Sequence, residues 1–175
     1  MRFFTSKECE DWCRPLGVPL DEKLRPTHGL TQPHRFRCAF PDSFSQLLWF
    51  SRCVESALQP RQTCLLWVTD FDIFPANENL HLYYRLRQSY GDMRLLHEAP
   101  GHLCLDYEVP DVVTLVHLCM LFGWDVHLIP TFGYGQALVC HDEWVDFGFD
   151  NDQQCDETLQ ELKRAGFQIS SCDGV

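Results

Sequence analysis

Trp124-Asp125-Val126-His127-Leu128-Ile129, Gln136-Ala137-Leu138-Val139-Cys140 and Trp144-Val145-Asp146-Phe147 are three short runs of aliphatic, aromatic and β-branched residues. Turn-forming residues bound each of them: Gly123 before the first, Pro130 to Gly135 between the first and second, and His141-Asp142-Glu143 before the third. The pattern predicts strand, loop, strand, tight connection, strand, with the last two forming an antiparallel hairpin. Asp150 or Asp152 then caps a helix to Ala165, closed by Gly166. Its acidic residues, Asp156 and Glu157, come early and its basic ones, Lys163 and Arg164, come late, as the helix dipole favours.

Upstream of this block, strands and helices alternate. Pro110 to Phe122 is apolar nearly all round, so it reads as a buried helix, with Gly123 at its C′ position. His102 to Tyr107 reads as a strand. Glu78 to Tyr90 reads as a helix with Leu82, Tyr83, Leu86 and Tyr90 inward and His81, Arg85 and Gln88 outward. Cys64 to Thr69 is a continuous apolar run, which suits a central strand covered on both faces. A helix opens at Ser43, with Phe44, Leu47, Leu48, Val54 and Leu58 as its apolar stripe, and ends at Gln59-Pro60. Arg35 to Phe40 alternates as a half-buried strand. Residues 14–34 carry four prolines and form a long loop, and Thr5 to Glu8 is a capping box opening a first helix. The fold class is α/β or α+β. A single domain over residues 1–175 has a mixed β-sheet with helices packed on it and a C-terminal antiparallel hairpin followed by a helix.

The 175 residues are 45% hydrophobic and 22% charged, which excludes disordered and low-complexity classes. The net charge of −11 argues against nucleic-acid and anionic-membrane binding, since both need a basic surface. The acidity is uneven. Residues 1–97 hold 12 Lys+Arg and 11 Asp+Glu, whereas residues 98–175 hold 2 and 14. The N-terminus turns polar within four residues, so no signal peptide is expected, and the longest apolar run, Val112 to Trp124, is too short to span a bilayer. These features predict a cytoplasmic protein with reduced thiols. None of the ten cysteines is in CxxC spacing and most sit in apolar runs, so they read as small core hydrophobes. No cofactor and no metal ligand set is assigned. The eight histidines include no HExxH, and Cys140-His141, as neighbours on a strand, are expected on opposite faces.

Asp70 and Asp72 follow the apolar run Leu65 to Thr69. A D-x-D at the end of a buried strand resembles the first motif of haloacid-dehalogenase-type phosphohydrolases. The resemblance implies a nucleophile at Asp70, an acid/base at Asp72 and bound Mg²⁺. Ile73-Phe74 stand where that motif has Gly-Thr, and the middle of the chain has no lysine for a phosphate.

With no other catalytic motif, the sequence leans away from an enzyme. It reads as an acidic protein-binding module that docks to or neutralises a basic protein partner. In character, though in no motif, such a module resembles bacterial toxin-neutralising immunity proteins. The expected contact residues are Asp142, Glu143 and Asp146 on the hairpin and Arg85 and Arg87 on the Tyr-rich helix. A Mg²⁺-dependent phosphohydrolase and a structural subunit of a larger assembly stay open as alternatives.

Overall fold

The computed structural model describes residues 1–27, 29–59, 61–71 and 80–171. The strands are β1 (Arg2–Phe4), β2 (His34–Ala39), β3 (Arg61–Asp70), β4 (Gly101–Leu105), β5 (Asp125–Phe132), β6 (Gly135–Cys140), β7 (Trp144–Phe149) and β8 (Ile169–Ser171). The helices are α1 (Ser6–Cys13), α2 (Phe44–Leu58), α3 (Leu80–Ser89), α4 (Val109–Phe122) and α5 (Asp152–Arg164). One eight-stranded sheet has the order β1-β4-β3-β5-β6-β7-β2-β8.

Every strand pair in this sheet is antiparallel, which resolves the class to α+β; the sheet is not mixed in direction. The cause lies in the crossovers. β4 and β5 both run antiparallel to β3, which lies between them, so the β4–α4–β5 connection joins co-directional strands that never touch. This split arrangement keeps the β–helix–β rhythm of a parallel fold in the sequence while pairing the strands antiparallel.

Alternation along the strands divides the core in two. Cys64, Leu66 and Val68 of β3 join Val126, Leu128, Val139, Phe147 and Phe149 on the face covered by α2, α4 and α5. Leu65 and Trp67 point the other way, with Leu103 and Ile129, onto Cys9 and Cys13 of α1 and onto Val18. β3 is thus covered on both faces, as its continuous apolar run requires.

Residues 14–34 wrap the second face. A 3₁₀ turn at Arg14–Leu16 leads to a Leu20–Pro26 bridge. Arg25 Nη1 donates to the Thr69 carbonyl at 3.1 Å, and Arg35 Nη1 donates to the Leu30 carbonyl at 2.7 Å. Leu30 and Gln32 lie directly over Gly148, where any Cβ would strike them.

Several local expectations change, among them the cap of α5, which is Asn151 and neither Asp150 nor Asp152. β5 continues through Pro130 to Phe132, because Pro130 sits opposite Cys64 beside an irregular register where the missing N–H is tolerated. In α2, Leu47, Phe50, Val54, Ala57 and Leu58 are buried, while Phe44 is 79% and Leu48 42% exposed. In α3 the buried residues are Tyr83 and Arg87, while Leu82, and Tyr90 just beyond the helix, are exposed.

Candidate functional site

The acidic half of the sequence does not form one acidic face, because several of its carboxylates are held internally. Asp146, expected to face a partner, is buried and accepts from Arg37 Nε at 2.8 Å and Nη2 at 3.1 Å. Register explains this: Arg37 of β2 and Asp146 of β7 are direct cross-strand partners, turned to the same side. Glu108 pairs with the Met1 ammonium, and Asp125 accepts from the His141 ring. Asp142 and Glu143, in the β6–β7 turn, remain exposed, as do Asp156, Glu157 and Glu161 on α5.

Arg87, the second expected contact residue to be buried, is wholly out of solvent. It donates to Tyr83 Oη at 2.8 Å and to Asp92 at 3.1 Å, and its guanidinium lies 4.5 Å from the Phe3 ring centroid. The network continues inward. His102 Nδ1 lies 3.3 Å from the Leu66 carbonyl, so it carries the proton, and Nε2 accepts from Tyr83 O–H at 2.7 Å. Burial and the nearby Arg87 charge lower the His102 pKa to about 4, so the ring is neutral. Only Arg85 of the two arginines is exposed.

Asp70 ends β3, exposed and in register with Asp125; Asp72 lies outside the described residues. In open parallel sheets, ligands bind beyond the carboxyl ends of the strands. Here both neighbours of β3 are antiparallel to it.

At the same end of the sheet, Asp125, Cys140 and His141 come together. His141 donates from its backbone N to Asp125 Oδ1 at 2.7 Å, its ring Nδ1 lies 2.8 Å from the same oxygen, and Cys140 Sγ is 4.0 Å from Nδ1. Adjacent strand residues would diverge, but β6 ends at Cys140 and the following turn brings His141 back beside it. Burial pushes the Cys140 thiol up to about 12, so it is no free nucleophile. The other described cysteines are free thiols, and all but the half-buried Cys53 are buried.

A groove of about 700 Å³ opens on the helical side, floored by α2 and walled by the start of α4 and the end of α5. Leu48, Trp49 and Val113 give it an apolar lining, with Leu162 buried beside it and Arg52, Glu55 and Glu161 as its charged groups. Trp49 is 53% exposed. Burial raises the Glu55 pKa, and among the described residues no cation pairs with Glu55 or Glu161. Sequence reading missed this site because Leu48 was counted into the core stripe. The surplus of apolar residues on α2 beyond one buried face, Leu48 and Trp49 side by side, was the available signal.

Among the described residues, no helix is long and apolar enough to cross a membrane. Comparison with known proteins gives no match: no family model, curated protein or solved structure shows significant similarity to the chain.

Proposed function

We propose that this α+β protein is a non-catalytic binding module whose groove between α2, α4 and α5 receives a segment of a basic protein. One observation carries the reading. Trp49 and Leu48 are half-exposed on the floor of a preformed groove that also holds Arg52 and two carboxylates lacking a described cationic partner. Trp is among the residues enriched at binding hot spots, and here it adjoins a second exposed apolar side chain in a concave surface. Glu55, whose charge is disfavoured by partial burial, gains most from an incoming cation. The occupant is therefore a segment with apolar side chains flanked by Lys or Arg, and the net charge of −11 steers it in.

Selection from a displayed library of random 16-residue peptides tests this. Enriched peptides are expected to combine apolar residues with Lys or Arg. They should bind Trp49→Ala ~30-fold or more weakly, the loss expected at a hot spot, and weaken as salt rises. Acidic consensus sequences, failure to enrich, or undiminished binding to Trp49→Ala overturns the reading.

A further inference from the structure

We propose that Asp125, Cys140 and His141 form a binding site for zinc or a similar divalent transition metal, with Asp142 orienting the His141 ring. The site is independent of the helical groove.

The sheet builds it. Val126 pairs with Val139, so Asp125 at the start of β5 and Cys140 at the end of β6 stand opposite each other, one step further along the same pair of strands. Both are buried. His141 enters from the turn, and its backbone N–H clamps Asp125 Oδ1 at 2.7 Å. One sulfur, one ring nitrogen and one carboxylate oxygen then lie within 4.8 Å of one another.

The spacings come within reach of a tetrahedral ion. Metal–ligand bonds of ~2.0 Å to oxygen, ~2.05 Å to nitrogen and ~2.3 Å to sulfur imply edges of about 3.3 Å for N–O and 3.6 Å for N–S. The observed 2.8 Å from Nδ1 to Asp125 Oδ1 would open by about half an ångström, and the observed 4.0 Å to Cys140 Sγ would close by about as much. The two changes are opposite in sign, so they call for a shift of the His141 ring away from Asp125 and toward Cys140. Mixed sulfur, nitrogen and oxygen ligands select zinc-class metals over Mg²⁺ and Ca²⁺, which take oxygen alone.

The surroundings match what a ligating histidine needs. With the metal on Nδ1, the proton that Nδ1 gives to Asp125 exchanges out through solvent and the ring holds its proton on Nε2, which lies 3.5 Å from Asp142 Oδ1. A carboxylate behind the ring is the usual outer-shell device that fixes tautomer and orientation. The Cys140 thiol proton leaves to solvent as the metal binds. The His141 side chain is 24% exposed, so three protein ligands leave the fourth position accessible to water.

Cobalt and zinc uptake by the full chain, chelator-stripped and kept reduced, decides the question. We expect one Co²⁺ per chain with a thiolate-to-cobalt charge-transfer band, displaced by one equivalent of Zn²⁺. Cys140→Ser and His141→Ala should each abolish the band or weaken zinc binding by more than the ~10–100-fold expected of an outer-shell change. Asp142→Asn, at an exposed position, should keep the band and weaken zinc by that ~10–100-fold. Cys53→Ser should change nothing. Circular dichroism confirms that each variant is folded, and either ligand variant alone suffices. No thiolate band at one equivalent, or a band retained at full strength in Cys140→Ser or His141→Ala, overturns the proposal. An unchanged zinc affinity in Asp142→Asn overturns the orienting role.

Discussion

Arg37 clasps Asp146 across the β2–β7 pair, and its guanidinium lies 3.6 Å over the Trp144 ring centroid. The carboxylate is nearly buried, so its charge is set against this guanidinium rather than displayed to a partner. Deleting Asp146 removes the carboxylate that binds this half-buried guanidinium. Arg37 keeps 28% of its side chain in solvent, so the loss is discounted from the ~3–5 kcal/mol typical of a fully buried pair to about 2–3 kcal/mol. Urea unfolding of Asp146→Ala should show this loss while peptide binding in the helical groove stays at wild-type strength. A fall in binding without a fall in stability would instead make Asp146 a contact residue.

His102 makes stability depend on pH in a defined window. Its pKa is about 4 in the folded protein and ~6.5 unfolded, so between those values the unfolded chain binds the extra proton. The contribution is complete above pH ~6.5 and is lost as pH falls toward 4, and on the order of 3 kcal/mol is at stake. Carboxylates add their own acid dependence, so the readout is a difference. The gap between wild type and His102→Gln in urea midpoint should shrink steadily from pH 7 to pH 4.5. A gap that does not change with pH would mean the ring is not held neutral.

How much of this was legible depends on whether a residue's role is local. The capping box at Thr5 and Glu8, Gly123 in the left-handed region after α4, and the β6–β7 hairpin were readable because neighbours in sequence create them. Sheet direction was not, because β3 is inserted between β4 and β5 from 31 residues upstream of the nearer one. Arg87 reads as a surface residue beside Arg85 because two of the groups that enclose it, Phe3 of β1 and His102 of β4 behind Tyr83, are distant in sequence, although Tyr83 and Asp92 are near neighbours. The same holds for the candidate sites. The Asp125–His141 contact spans 16 residues and depends on strand register, and the groove is walled by three helices.

Gly101 has no room for a side chain. It begins β4 against α1, and an added Cβ would collide with Cys9 Sγ and lie 2.9 Å from Phe4 Cβ. Both atoms belong to the buried second face, so relaxation is limited. Gly101→Ala should cost about 2–3 kcal/mol, the upper part of the range for overpacking. Removing the sulfur gives part of this back. In a double-mutant cycle, Gly101→Ala with Cys9→Ala should be less destabilised than the sum of the single changes by about 1 kcal/mol or more. Strict additivity would show that the helix shifts away from the strand instead of clashing with it.

Glu143 occupies the position in the β6–β7 turn where glycine is favoured. Cys140 pairs with Trp144, leaving His141, Asp142 and Glu143 as a three-residue loop, and Glu143 N–H donates to the Cys140 carbonyl at 3.1 Å. The third residue of such a loop adopts the left-handed conformation, and Glu143 does so with φ of 66°. A β-carbon there costs roughly 1–2 kcal/mol, part of which is offset by the greater entropy that glycine gives the unfolded chain. Glu143 is exposed and has no described ion pair, so its side chain supplies nothing to set against this strain. Glu143→Gly should therefore raise stability by about 0.5–1 kcal/mol, read as a higher urea midpoint with unchanged slope. Glu143→Ala, which keeps the β-carbon, should show no gain. If both variants gain equally, the cause is relief of acidic repulsion from Asp142 in the same turn and not backbone strain.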